Sequence, residues 1–121
     1  MKKRVLVVED NEVNRELVKE ILEMQSYSVL LAVDGEEGIR IAKEQKPDLI
    51  LMDIQLPKID GLQATRILKA DESTRDIPII ALTAFAMKGD EGIFLEAGCE
   101  AYIPKPISIK NFISIINSFL V

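Results

Sequence analysis

The stretch Lys46-Pro-Asp-Leu-Ile-Leu-Met-Asp53-Ile-Gln-Leu-Pro57, followed by Asp60-Gly61, decides the fold. Lys-Pro-Asp ends whatever helix precedes it, an apolar run Leu49–Met52 follows, and Asp-Gly opens the next helix. A short run that is apolar at every position is a strand covered on both faces, as strands of a parallel sheet are. Four more runs share this character: Val5–Val8, Val29–Val33, Ile77–Leu82 and Ala101–Ile103. Between them apolar residues return at helical spacing, as at Val13, Leu17, Ile21 and Met24.

Five strands alternating with five helices predict an α/β fold, a (βα)5 chain. The expected sheet is doubly wound, parallel and five-stranded, in the flavodoxin-like order 2-1-3-4-5. Punctuation agrees with it. Asp34-Gly35 follows the second run, Ile77-Pro78 enters the fourth, Gly98 ends the fourth helix, and Pro104 closes the fifth run as an edge strand permits. No stretch reads as a linker or repeat, so residues 1–121 are expected to form one domain, with no effector domain after the fifth helix.

Composition narrows the chemistry. In 121 residues there is no histidine and one cysteine, Cys99, which excludes Ser-His-Asp and Cys-His catalysis, imidazole or thiolate metal sites and an internal disulfide. Fifteen Lys and Arg against 20 Asp and Glu leave −5, which argues against nucleic acid as a direct partner. No run spans a membrane and no signal peptide opens the chain, so the expected location is the cytoplasm. What remains is chemistry by carboxylates, hydroxyls, amines or a hard metal.

In an open α/β sheet the crevice lies outside the carboxyl ends of the strands, where the order reverses. Strand one ends in Glu9-Asp10, strand three in Asp53, strand four in Thr83, and strand five leads into Lys105-Pro106. Glu9, Asp10 and Asp53 bring −3 and Lys105 +1, so a bound Mg²⁺ would make the rim neutral. Mg²⁺ accepts one or two carboxylates together with waters and phosphate oxygens. An ammonium and a hydroxyl are groups to place around a phosphoryl oxygen, with Asp53 a candidate nucleophile. Taken singly, each of these residues also fits a helix cap or a solvated strand end, Asp10 before the first helix above all. Four adjacent strand ends carrying three acids, a hydroxyl and a lysine together exceed that account.

Over its full length the sequence resembles a receiver domain of a two-component response regulator. The resemblance rests on Val-Val-Glu9-Asp10-Asn11, on Leu-Met-Asp53-Ile-Gln-Leu-Pro57 with Gly61 beyond it, on Ala-Leu-Thr83-Ala84, and on Ala-Tyr102-Ile-Pro-Lys105-Pro106. The segment from Thr83 through Tyr102 is similar to single-domain cell-cycle regulators of the DivK type, and also to receiver modules of hybrid kinases. The resemblance implies a phosphoacceptor switch of a phosphorelay, not an enzyme in the ordinary sense. Asp53 would take a phosphoryl group from a phosphohistidine on a sensor histidine kinase or histidine phosphotransfer protein. Asp10, Asp53 and the backbone carbonyl of Gln55 would ligate Mg²⁺ (or Mn²⁺), with Glu9 acting through a water. Lys105 and Thr83 would bond the phosphoryl oxygens, Tyr102 would turn inward behind Thr83, and the Lys105–Pro106 bond would be cis. Output would pass to a downstream protein through the face of helix four, strand five and helix five, from a monomer or a phosphorylation-dependent homodimer.

Several features are left open. A receiver-fold scaffold that is never phosphorylated is one alternative, and an acidic-site phosphatase with an aspartyl nucleophile is another. The latter class carries an Asp-x-Asp pair where this chain has Asp53-Ile-Gln55. Helix four, expected over Met87–Ala97, contains Gly89 and Gly92, each unfavourable by about 1 kcal/mol against Ala, and is expected to be weak. Phe85 and Gln55 are placed to limit water's access to Asp53, and Cys99 reads as a small core residue. Helix five is expected over Ile109–Leu120 with Ser108 as N-cap. Its apolar residues cover an arc of about 160°, more than the ~100° one packed face needs. That excess fits either generous burial or an exposed strip for a partner.

Overall fold

Every apolar run becomes a strand and every helical stretch a helix. The computed structural model describes residues 2–84 and 91–120. The strands are β1 (Arg4–Val8), β2 (Ser28–Ala32), β3 (Leu49–Asp53), β4 (Ile79–Thr83) and β5 (Ala101–Pro104). The helices are α1 (Glu12–Met24), α2 (Gly35–Gln45), α3 (Gly61–Ala70), α4 (Glu91–Ala97) and α5 (Ile109–Leu120). All four strand pairings are parallel, in the order β2-β1-β3-β4-β5.

Strand alternation divides the core into two layers. Val5, Val7, Leu49, Leu51, Ile80 and Leu82 point to one face, where they meet Val18, Ile21 and Leu22 of α1 and Phe112 and Ile116 of α5. Leu6, Val8, Ile50, Met52, Ile79 and Ala81 point to the other, against Ala42 of α2, Ala64 and Leu68 of α3 and Phe94 of α4. Both faces of the central strands are thus dry, which is why their sequences are apolar throughout. Cys99 is buried in the second layer, its thiol 3.9 Å from the Thr65 hydroxyl and pushed up in pKa by burial, as suits a core residue.

The boundaries differ from the sequence expectation where a cap or turn takes over the backbone. Val33 lies beyond β2 because its amide donates to Glu37 Oε1 (3.0 Å), while the Glu37 amide donates to Asp34, the N-cap of α2. Ile77 lies before β4 because its amide closes a turn onto the Thr74 carbonyl at 3.1 Å. Asn11, not Asp10, caps α1, accepting the Asn14 amide at 3.0 Å. Asp60 and Gln63 form a reciprocal capping box at α3. The Ser108 carbonyl accepts the Phe112 amide at 2.8 Å, which puts Ser108 at the N-cap position of α5. In α5 the wide apolar arc is mostly absorbed by the core: Ile113, Ile115, Phe119 and Leu120 pack against the first layer, and Ile109 is left 53% exposed.

Helix α4 is described from Glu91 onward; Phe85, Gly89 and the rest of the expected Met87–Asp90 segment lie outside the described residues. Gly92 is within the helix, and a Cβ built there meets nothing within 4 Å. Gly98 differs: its φ is 113°, and a Cβ would lie 2.7 Å from Lys69 Cγ. Opposite effects are therefore expected at two glycines six residues apart. In urea unfolding, Gly92→Ala should raise stability by about 1 kcal/mol, whereas Gly98→Ala should lower it by more than ~1 kcal/mol. A stabilised Gly98→Ala, or a Gly92→Ala no more stable than the parent, would contradict this account of the helix.

Candidate functional site: an acidic cluster at the carboxyl edge of the sheet

The order β2-β1-β3-β4-β5 reverses between β1 and β3, and there the chain presents its acids. Glu9 follows β1 and is still held in the sheet, its amide donating to the Ala32 carbonyl at 3.1 Å. Asp53 is the last residue of β3 and Thr83 the last of β4. Glu9 and Asp53 are 1% and 3% exposed and Thr83 is fully buried, while Asp10 is exposed. Carboxylate oxygens of Glu9, Asp10 and Asp53 all lie within 4.8 Å of one another.

Lys105 arrives from the far side of the sheet. Its amide donates to the Thr83 carbonyl at 2.7 Å, just past β5, and the bond to Pro106 is cis. Its ammonium lies 2.8 Å from Glu9 Oε1 and 3.3 Å from Asp53 Oδ2. The other Asp53 oxygen, Oδ1, accepts the Gln55 amide at 3.1 Å. That turn depends on Gly61, where a Cβ would fall 2.1 Å from the Asp53 carbonyl oxygen. The Gln55 side chain itself is exposed.

The electrostatics follow from burial and neighbours. Burial, and then the adjoining Asp53 carboxylate, push Glu9 above the ordinary carboxylate range, and Lys105 offsets this only in part. Burial works against the Lys105 ammonium, but Glu9 and Asp53 outweigh it and hold its pKa above the ordinary value. Three acids and one lysine leave two negative charges, two of the acids being buried. A small hard dication suits such a donor set, because an uncompensated buried charge is strongly unfavourable.

Of the residues singled out in the sequence, Glu9, Asp10, Asp53 and Lys105 converge here, with Thr83 on the adjoining strand end. Tyr102 lies elsewhere: it is half-buried against the second core layer, its ring centroid 5.8 Å from that of Phe94 at an interplanar angle of 48°. One participant was not legible in the sequence. Arg15, in the first turns of α1, donates from Nη1 to the carbonyls of Glu9 (3.0 Å) and Asp10 (3.4 Å). An arginine on a helix reads as part of a solvated face, and nothing in its spacing marks the backward reach.

A parallel sheet in this order, with an acidic cluster and a lysine at its switch point, defines a signalling receiver: the chain belongs to the response regulator receiver domain family, which matches residues 5–117. It is 52% identical over 120 residues to the polar-differentiation response regulator DivK of Brucella anthropi and to that of Brucella ovis. Each match covers 99% of this chain and 98% of the relative. Among solved structures it is similar to the receiver domain of a Pseudomonas aeruginosa sensor histidine kinase, described with a magnesium ion coordinated in the active-site cleft. That match has 40% identity and a TM-score of 0.91, and covers 99% of this chain and 98% of that one. A second solved relative comes from the co-crystal of the Saccharomyces cerevisiae histidine phosphotransfer protein Ypd1 with the receiver domain of Ssk1. Here identity is 31% and the TM-score 0.88, over 98% of this chain and 88% of that one.

The raised Glu9 pKa has a thermodynamic consequence. A carboxyl that holds its proton more tightly when folded contributes stability below the unfolded value, about 4.3 for glutamate, and loses it as pH rises through the folded value. In metal-free solution Glu9→Gln, which cannot titrate, should therefore flatten the decline of Tm with rising pH just above that value. An unchanged slope would remove Glu9 as its source.

Proposed function

We propose that this chain is a phosphoacceptor switch in which Asp53 receives a phosphoryl group from a phosphohistidine on a sensor histidine kinase or histidine phosphotransfer protein. One observation carries the assignment: Lys105 Nζ lies 3.3 Å from Asp53 Oδ2 while Oδ1 is tied to the Gln55 amide. The acceptor carboxylate is thus oriented, next to a cation that can bond the incoming group. In the transfer, an Asp53 oxygen forms a bond to phosphorus as the P–N bond breaks, and that electron pair leaves on the donor imidazole. Asp10, Asp53 and the Gln55 carbonyl would hold Mg²⁺, or Mn²⁺ in its place, with Glu9 acting through a water. The ion supplies charge neutralisation for the phosphoryl oxygens.

The product carries about one more negative charge than the carboxylate, and three acceptor oxygens. Lys105 can exchange part of its pairing with Glu9 for those oxygens, and the Thr83 hydroxyl at the end of β4 is the other donor offered to them. A shift of Thr83 toward the site makes room for Tyr102, now against Phe94 of α4, to turn inward. The output surface is the face of α4, β5 and α5, where Ile93, Leu95 and Ile109 are 47%, 60% and 53% exposed. The switch acts on protein partners, as a monomer or as a homodimer formed on phosphorylation. Among the described residues no helix is long and apolar enough to cross a membrane, and a cytoplasmic location fits. Gln55 takes the place of the second aspartate of an Asp-x-Asp phosphatase, so a stoichiometric adduct, and not turnover, is the expected outcome.

Intact mass spectrometry after incubation with acetyl phosphate and Mg²⁺ tests this directly. A single phosphoryl adduct is expected, absent with EDTA and absent in Asp53→Asn. No adduct from acetyl phosphate or from a phosphohistidine donor would replace the switch by an unphosphorylated binding scaffold. Thr83→Ala should still take the adduct but lose phosphorylation-dependent partner binding, measured by pull-down. Undiminished binding in that variant would uncouple Thr83 from output.

A further inference from the structure

We propose that Arg15 is a positioning residue for the metal-binding acids: it holds the backbone that carries Glu9 and Asp10, and so sets the affinity of the site for a divalent cation. The inference rests on the phosphoacceptor assignment and deepens it. Asp10 is exposed, and among the described residues no hydrogen bond or ion pair fixes its carboxylate. Its placement within 4.8 Å of Glu9 and Asp53 is therefore set by the path of the backbone between β1 and α1. Besides the bond of the Glu9 amide to the Ala32 carbonyl, two contacts grip that path. The Asn11 amide meets Glu9 Oε2 at 3.4 Å, and Arg15 Nη1 bridges the carbonyl oxygens of Glu9 at 3.0 Å and Asp10 at 3.4 Å. A single nitrogen tied to two successive carbonyls constrains the two peptide units that flank the Asp10 Cα, and with them the direction in which the Asp10 side chain leaves the chain. Arg15 is half-buried and turned back along α1, while its own amide continues the helix onto the Asn11 carbonyl at 2.9 Å.

The charge of Arg15 makes the inference testable by sign. Considered only as a charge, a guanidinium beside a cation site repels the ion, so its removal should tighten binding. Considered as the clamp on the ligand-bearing backbone, its removal should weaken binding, on the order of 10-fold as for other residues that orient metal ligands. The two accounts predict opposite directions.

The probe is Mn²⁺, whose free form is counted by electron paramagnetic resonance without any phosphorylation step. Arg15→Met is expected to raise the Mn²⁺ Kd about 10-fold. Arg15→Lys, which keeps the charge and one donor, should fall between it and the parent. Arg40→Met, which removes an equal charge from the exposed face of α2, should leave the Kd unchanged. Circular dichroism confirms folding, and if Arg15→Met does not fold, Arg15→Gln takes its place with the same expected loss. A Kd equal to or tighter than the parent's in the folded Met or Gln variant overturns the positioning role, and so does a parent chain that does not bind Mn²⁺. Failure of the phosphoacceptor assignment looks different. There the parent binds Mn²⁺ but takes no phosphoryl adduct, and Arg15 is still judged by the ratio of the two binding constants.

Discussion

The Lys105 ammonium, set 2.8 Å from Glu9 and 3.3 Å from Asp53, ties together the ends of three strands. Two carboxylates exposed by no more than 3% repel each other when both are ionised, and Lys105 is the cation that the chain itself sets between them. Its position requires the whole sheet. Glu9 comes from the end of β1, Asp53 from the end of β3 and Lys105 from beyond β5, and the parallel order β2-β1-β3-β4-β5 brings the three together at one edge. The cluster is nevertheless left two charges short of neutral. Two net negative charges are what a hard dication would balance, and the neutral interior on either side of the sheet offers no such charge.

The surroundings of the acids and the far edge of the sheet are built differently. Around the acids the backbone is fixed at several points. Asn11 caps α1, Arg15 reaches back to the carbonyls of Glu9 and Asp10, the Gln55 amide anchors Asp53, and Gly61 lets the next helix begin against the Asp53 carbonyl. On the far side α4 is the shortest of the described helices, carries Gly92 at an open position, and meets β5 through the Phe94–Tyr102 ring contact.

Much of this was legible before any coordinates, and the reasons are local. Runs such as Leu49–Met52 are apolar at every position because both faces of a central parallel strand are covered, and Asp34 and Asp60 precede helices because their side chains accept the first free amides. Misplaced boundaries were local competitions read the wrong way. Val33 and Ile77 are apolar, but their amides serve a helix cap and a turn and not the ladder. Asp10 looked like a cap because aspartate caps well, yet Asn11 beside it takes that bond.

Five strands, five helices, their parallel order and the acids, hydroxyl and lysine at successive strand ends can all be read from the sequence. These follow from hydrophobic period and turn chemistry, which act over a few residues. Long-range packing settles that Lys105 pairs with Glu9, 96 residues away, more closely than with Asp53, that Tyr102 rests on Phe94, and that the half-buried Arg15 bonds the backbone of the acids. Those are choices between side chains far apart along the chain, and no local pattern encodes them. They are made by which strand ends the sheet brings together and by how little water remains between them.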